Sequence, residues 1–213
     1  MLWRDFGAQL SQVIRLLESA RDAGVVTMIH CEDGPLFVGQ PPLRSRDDSE
    51  ALWDGMANGA VDLLATDHAP WLRAQKLDPE LTITDLRPGI SSLQFMLPLF
   101  FSEGVIKRGI SVERFVELTS TNTARIMGLY PEKGVIREGA HADIVVFDPE
   151  RSAVIRGEDD FSNSDYSVYE GWSVTGWPTM SIRRGEVVFE DGQVLGRPGS
   201  GSLVARRPWK ANG

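Results

Sequence analysis

The chain reads as an α/β protein that gives way to antiparallel strands in its last third, and three observations carry that reading. Twice near the start, an amphipathic stretch stops at a glycine and a short apolar run follows at once. Both apolar runs end on polar residues suited to chemistry. From Lys133 onward, strand patterns succeed one another with turn dipeptides between them.

In the first unit Leu10, Val13, Ile14, Leu17 and Ala20 recur at helical spacing, and Gly24 stands where a helix stop belongs. Val25-Val26-Thr27-Met28-Ile29 follows, continuous and apolar as a strand buried on both faces should be. In the second unit Asp47 or Asp48 caps a helix through Ala51, Leu52 and Met56, closed by Gly59. Val61-Asp62-Leu63-Leu64-Ala65-Thr66 is its strand. Helix, glycine and buried strand, repeated, predict a parallel sheet. The first strand runs into His30, Cys31, Glu32 and Asp33, the second into Asp67 and His68. Chemistry collects at the carboxyl ends of strands in open parallel sheets and barrels alike.

Residues 71–88 show no period and read as a loop. Ser91 or Ser92 then caps a helix with Leu93, Met96, Leu97 and Phe100 on one face, and Pro98 is expected to kink or shorten it. Ser111 begins a helix through Phe115 and Leu118, and Thr121 starts another that Gly128 ends. Residues 143–148 form a strand around Ile144-Val145-Val146-Phe147. Residues 180–183 and 186–189 flank Arg184-Gly185 as a hairpin, and Asp191-Gly192 makes a second turn. The Gly-, Pro-, Ser- and Arg-rich tail from Gly196 reads as irregular.

Composition narrows the function classes. Cys31 is the one cysteine, so no internal disulfide forms and a reducing compartment is expected. A net charge of −8 without a basic stripe argues against a nucleic-acid partner. The most apolar stretch, 95–101, is too short to span a bilayer, and the start lacks a signal-peptide pattern. The expectation is a cytoplasmic protein away from membranes.

Each candidate has a bland reading when taken alone. A histidine after an apolar strand is often a hydrogen-bonded structural residue, and Asp67 is a ready turn or helix cap. Neighbours on an extended chain point opposite ways, so Asp67 and His68 do not both hold one ion. Cys31 reads as a small buried residue, and His141, just before a strand, as structural. The combination is more specific. Residues 26–34 (Val-Thr-Met-Ile-His-Cys-Glu-Asp-Gly), Pro41-Pro42-Leu43-Arg44-Ser45 and Ala65-Thr66-Asp67-His68-Ala69-Pro70 come in order. Pro88-Gly89-Ile90, Ser120-Thr121-Asn122-Thr123-Ala124-Arg125, Gly128-Leu129-Tyr130-Pro131 and Lys133-Gly134 follow, then 139–148, 165–172 and Arg184-Gly185. With these motifs the chain resembles the hydantoinase/dihydropyrimidinase branch of the amidohydrolase superfamily, near allantoinase and dihydroorotase.

The resemblance implies a partial (β/α) barrel over 1–132 and the carboxyl-terminal part of a small β-sandwich over 133–213. It implies hydrolysis of a small cyclic amide by two divalent ions, usually zinc, that activate a bridging water. His30 matches a metal ligand of the family, and Asp67 matches the aspartate that is both metal ligand and general acid/base. Gln40 and Asp85 fall in the segments that hold the substrate ring. Family members are commonly homo-oligomers. The sequence also departs from the pattern. Its three histidines are His30, His68 and His141, so the family's His-x-His is absent, as are its bridging lysine, oxyanion-side tyrosine and the further histidine expected between His30 and Asp67. Phe37-Val38-Gly39 joins parts that the family separates, as if by internal deletion. About half of the ~250 residues of a full barrel are present. The expectations are weak metal binding and little activity for the chain alone. The alternatives are a non-catalytic scaffold related to dihydropyrimidinase, or an allantoinase- or dihydroorotase-type hydrolase; 165–172 leans toward hydantoinase.

Overall fold

The structure is a computed structural model that describes residues 19, 22–23, 46–82, 84–85 and 87–207. The expected strand 25–29 and nearly all of the helix before it lie outside the described residues. The chain divides into two compact units, 1–62 with 209–213, and 63–208.

In the first unit, α1 (Arg46–Asn58) forms where the sequence places a helix. It starts at Arg46, so Asp47 stands inside the helix rather than at its cap. Gly55 and Met56 are buried, and Gly59 ends the helix at φ +91°. Val61 N–H then closes the end on Gly55 O at 3.0 Å.

The second unit begins with a departure from expectation. Residues 61–70 carry no ladder among the described residues, so the expected strand 61–66, which straddles the end of the first unit and the start of the second, is not seen there. A strand is defined by its neighbours' hydrogen bonds. Here Leu64 N–H bonds instead to Leu118 O, 3.1 Å away, on a helical segment. The loop that follows contains a single turn of helix, α2 (Arg73–Lys76).

Pro98 does not break its helix. It sits in the first turn of α3 (Met96–Phe100), where an amide would lack a partner inside the helix anyway. The helix continues with wider hydrogen bonding over Phe101–Ile106. The second helical run is also continuous. Ser111 caps α4 (Val112–Val116), its Oγ accepting from Arg114 N–H at 3.1 Å. A wide turn over Glu117–Thr121 leads directly into α5 (Asn122–Ile126). Thr121 therefore lies within a helix instead of starting one.

Four antiparallel strands follow in the order β1 (Ile144–Val154), β2 (Ser173–Arg183), β3 (Glu186–Glu190) and β4 (Gln193–Val194). Both expected turns are present, with positive φ at Arg184 and Gly185 and at Asp191 and Gly192. The β1–β2 register slips between Asp148 and Ser152, around Pro149, which has no amide to give the ladder. Asp148 Oδ1 takes up the amides of Glu150 and Arg151 there, at 2.9 and 3.2 Å. The tail from 195 to 207 is irregular, as expected.

Helices and sheet share a core. Phe101 packs on Phe147 of β1 with ring centroids 4.9 Å apart and edge-on to Phe115 at 5.5 Å. Phe95, Ile155 and Val174 form a second buried cluster, flanked by Leu99, Tyr169, Trp172 and Trp177. Leu118 is fully buried.

One polar contact ties the β2–β3 turn to the segment before β1. Asp143 pairs with the Lys133 ammonium and accepts the Arg184 N–H at 2.7 Å. Burial pushes its carboxyl up, but Lys133 and the Arg184 amide together outweigh this and hold it below its ordinary 3.8. A depressed folded value stabilises the fold above 3.8, and that stability is lost as pH falls through 3.8 toward the lowered value. Asp143→Asn should therefore lose about 1 kcal/mol at neutral pH, solvent screening keeping the figure small. Urea unfolding at a series of pH values should show the gap to the parent closing in acid. An equal gap at all pH values contradicts the assignment.

Candidate functional site

The site is built from two segments that supply each other's missing backbone partners. Residues 66–69 have no ladder among the described residues, yet Thr66, His68 and Ala69 are half-buried and their polar groups need partners. The turn at 90–93 provides them. Thr66 O accepts from Ser92 Oγ at 3.0 Å, and Ala69 N–H donates to Ile90 O at 2.9 Å. His68 Nδ1 accepts from both the Ser92 and Leu93 amides, each at 3.2 Å. These amides open the turn that leads into α3, so the imidazole takes the place of a cap. With Nδ1 an acceptor, the neutral ring carries its proton on Nε2.

Ser91 and Ser92 therefore do not cap the helix with their hydroxyls, as the sequence suggested. Ser92 holds Thr66, and Ser91 Oγ hydrogen-bonds Asp160 and lies 2.9 Å from Ser162 Oγ. The Phe95 cap position has no side-chain bond at all.

Asp67 sits at the centre of this arrangement, exposed and at φ +44°. That is left-handed backbone, uncommon for any residue but glycine, although aspartate tolerates it better than most. Such conformations persist only where surrounding structure imposes them, and they gather at functional sites. Here the imposing contacts fall on its two neighbours, Thr66 and His68.

A second layer holds the turn itself. Trp71 Nε1–H donates to Pro88 O at 3.0 Å while the Arg87 guanidinium lies 5.1 Å from the Trp71 ring. Lys76 Nζ donates to Gly89 O at 2.5 Å. Gly89 has φ +92°, and a Cβ there would stand 2.5 Å from Ala69 Cβ, so only glycine allows this approach. Residues 159–166 then wrap the outside. Gln94 bridges Asp159 O and Phe161 N–H at 2.8 and 2.9 Å, and Asp165 caps α2 through Arg73 N–H at 2.7 Å. Arg73 lies over the Tyr166 ring. Burial and the Asp165 carboxylate push the Tyr166 phenol up, against the pull of Arg73.

Asp85 is exposed and lies on a turn, its carboxylate accepting from Thr82 Oγ1 and its amide donating to Thr82 O at 3.0 Å. His30 and Gln40, the other expected site residues, lie outside the described residues, and so does the expected sharing of an ion by His30 and Asp67. A catalytic zinc takes about three protein donors. Among the described residues no three of His, Cys, Asp or Glu gather to hold a metal. His68 Nδ1 is already occupied by two amides, so the described residues alone do not fit a metal centre.

The left-handed backbone of Asp67 yields a stability test. Asp67→Gly should be at least as stable as the parent, because glycine adopts this φ freely. Asp67→Val should lose about 1–2 kcal/mol, since a β-branched residue there is a steric outlier. Denaturant midpoints measure both. A valine variant as stable as the glycine one contradicts the backbone assignment.

Comparison with known proteins agrees with the site's sequence setting. The amidohydrolase family model matches residues 8–188. A D-phenylhydantoinase of Escherichia coli O1:K1 / APEC is 39% identical over 179 residues, 84% of this chain and 39% of the relative. The solved D-hydantoinase (dihydropyrimidinase) from Thermus sp. superposes with a TM-score of 0.76 at 36% identity, over 82% of this chain and 38% of that one. The D-hydantoinase from Bacillus sp. AR9 gives 0.83 at 30% identity, over 94% and 47%. The chain thus spans about two fifths of the length of the curated relatives it matches. Over that span, fold and sequence together make it a member of the amidohydrolase family, in its hydantoinase/dihydropyrimidinase branch.

Proposed function

We propose that this chain carries the acid/base portion of a hydantoinase-type hydrolase acting on the C–N bond of a small cyclic amide. The observation that supports this most is Asp67, held in left-handed backbone by a lattice of contacts to both neighbours. A carboxylate in that position serves to take a proton from the attacking water and deliver it to the leaving ring nitrogen. The same reading makes Asp67 and His30 donors to zinc, two ions by the family's pattern, which supply an activated water when bound. The remaining donors must come from outside the described residues. Gln40 and the turn at Asp85 are proposed to hold the ring, with 1–132 as barrel and 133–213 as sandwich portion. A cytoplasmic homo-oligomer is part of the same proposal; no helix among the described residues is long and apolar enough to cross a membrane.

Two assays test this. Hydantoin, dihydrouracil and allantoin offered to the purified chain with zinc should give little or no turnover, with metal below two ions per chain. A D-hydantoinase whose matching segment is replaced by residues 61–128 should turn over hydantoin. In that chimera Asp67→Asn should lower kcat about 10²–10⁴-fold. A chimera indifferent to Asp67→Asn removes the proposed role.

A further inference from the structure

We propose that Asn58 is a site of spontaneous deamidation, which the native fold promotes rather than prevents. The inference is independent of the hydrolase reading and rests on the end of α1. Asn58 is the last residue of that helix, exposed, and followed by Gly59. Gly59 is also exposed, at φ +91°, with nothing within 4 Å of where a Cβ would be. Gly59 brings no side chain of its own to hinder attack by its nitrogen. Asn58 Oδ1 accepts the Ala60 N–H at 3.0 Å, two residues on. That bond folds the side chain forward over the Gly59 peptide, bringing the amide carbon toward the nitrogen that must attack it.

The reaction balances with water as the one co-reactant. Gly59 N, losing its proton, forms a bond to Asn58 Cγ, and the oxygen Oδ1 becomes an oxyanion. The Ala60 N–H already points at that oxygen and stabilises the charge as it develops. The Cγ–Nδ2 bond then breaks and ammonia leaves, closing a succinimide. Water opens either carbonyl of the ring to give aspartate or isoaspartate. The new carboxylate stands at the negative end of the α1 dipole, where the last turn has no basic residue to offset it. Asp54-Gly55 has the same ring-forming potential but lies inside α1 with Gly55 buried, so it should stay intact.

The test is to incubate the full chain at mildly alkaline pH beside a synthetic peptide of residues 47–73, and to follow both by peptide mass spectrometry. Expected is a gain of about one dalton at Asn58 in the chain, at a rate equal to or above the peptide's. Isoaspartate should be detectable by methyltransferase labelling. Asn58→Gln should remove both signals from the peptide that holds residue 58, because glutamine closes a larger ring. Asn212-Gly213 is the same dipeptide, so labelling is read on the residue-58 peptide alone. Asn122 and Asn163 should remain unmodified over the same period. An Asn58 still intact in the chain after the peptide has half converted overturns the proposal, because the fold then protects the residue.

Discussion

The hydrogen-bonding demand of Thr66, His68 and Ala69 organises the part of the second unit that carries Asp67. Half-buried backbone without a ladder must find partners elsewhere, and each unsatisfied group costs about 1–3 kcal/mol. The turn at 90–93 has the complementary problem, since the first amides of a helix have no partner within it. Joining the two segments solves both problems with four bonds: Ser92 to Thr66, Ala69 to Ile90, and two amides to His68. The position and backbone of Asp67 follow from that joint.

The joint in turn rests on packing further along the chain. Gln94, Ser91 and Arg73 attach residues 159–165 to the same region, so the segment that precedes β2 braces the segment that carries Asp67. Below it, Phe95 packs with Ile155 and Val174, and Phe101 with Phe147. Placing one carboxylate thus draws on residues from Leu64 to Val174. This gives a physical reason for the family match to run through helices and sheet together.

Much of this was legible in the sequence. The two turn dipeptides predicted the hairpins because Gly185 and Gly192 adopt positive φ freely and Asp191 tolerates it, and Ser111 predicted a cap that is present. Asp67 was legible because it ends an apolar run beside His68-Ala69-Pro70. The expected strand before it shows no ladder among the described residues, and its expected neighbour at 25–29 lies outside them. The roles of Ser91 and Ser92 were misread. Local spacing makes them caps, whereas their partners, Asp160 and Thr66, are 69 and 26 residues away. Trp71 and Lys76 were missed because a turn held by carbonyl acceptors leaves no motif.

The central claim is that residues 66–69 and 90–93 form one hydrogen-bonded joint with His68 as acceptor. Native-state hydrogen exchange of single amides tests it directly. The account predicts that the amides of Ala69, Ser92 and Leu93 are protected far more than those of the irregular tail at 201–206. His68→Ala should then accelerate Ser92 and Leu93 about tenfold, the loss of roughly one hydrogen bond each. Amides at 92 and 93 that exchange as fast as the tail, or that do not respond to His68→Ala, would contradict it.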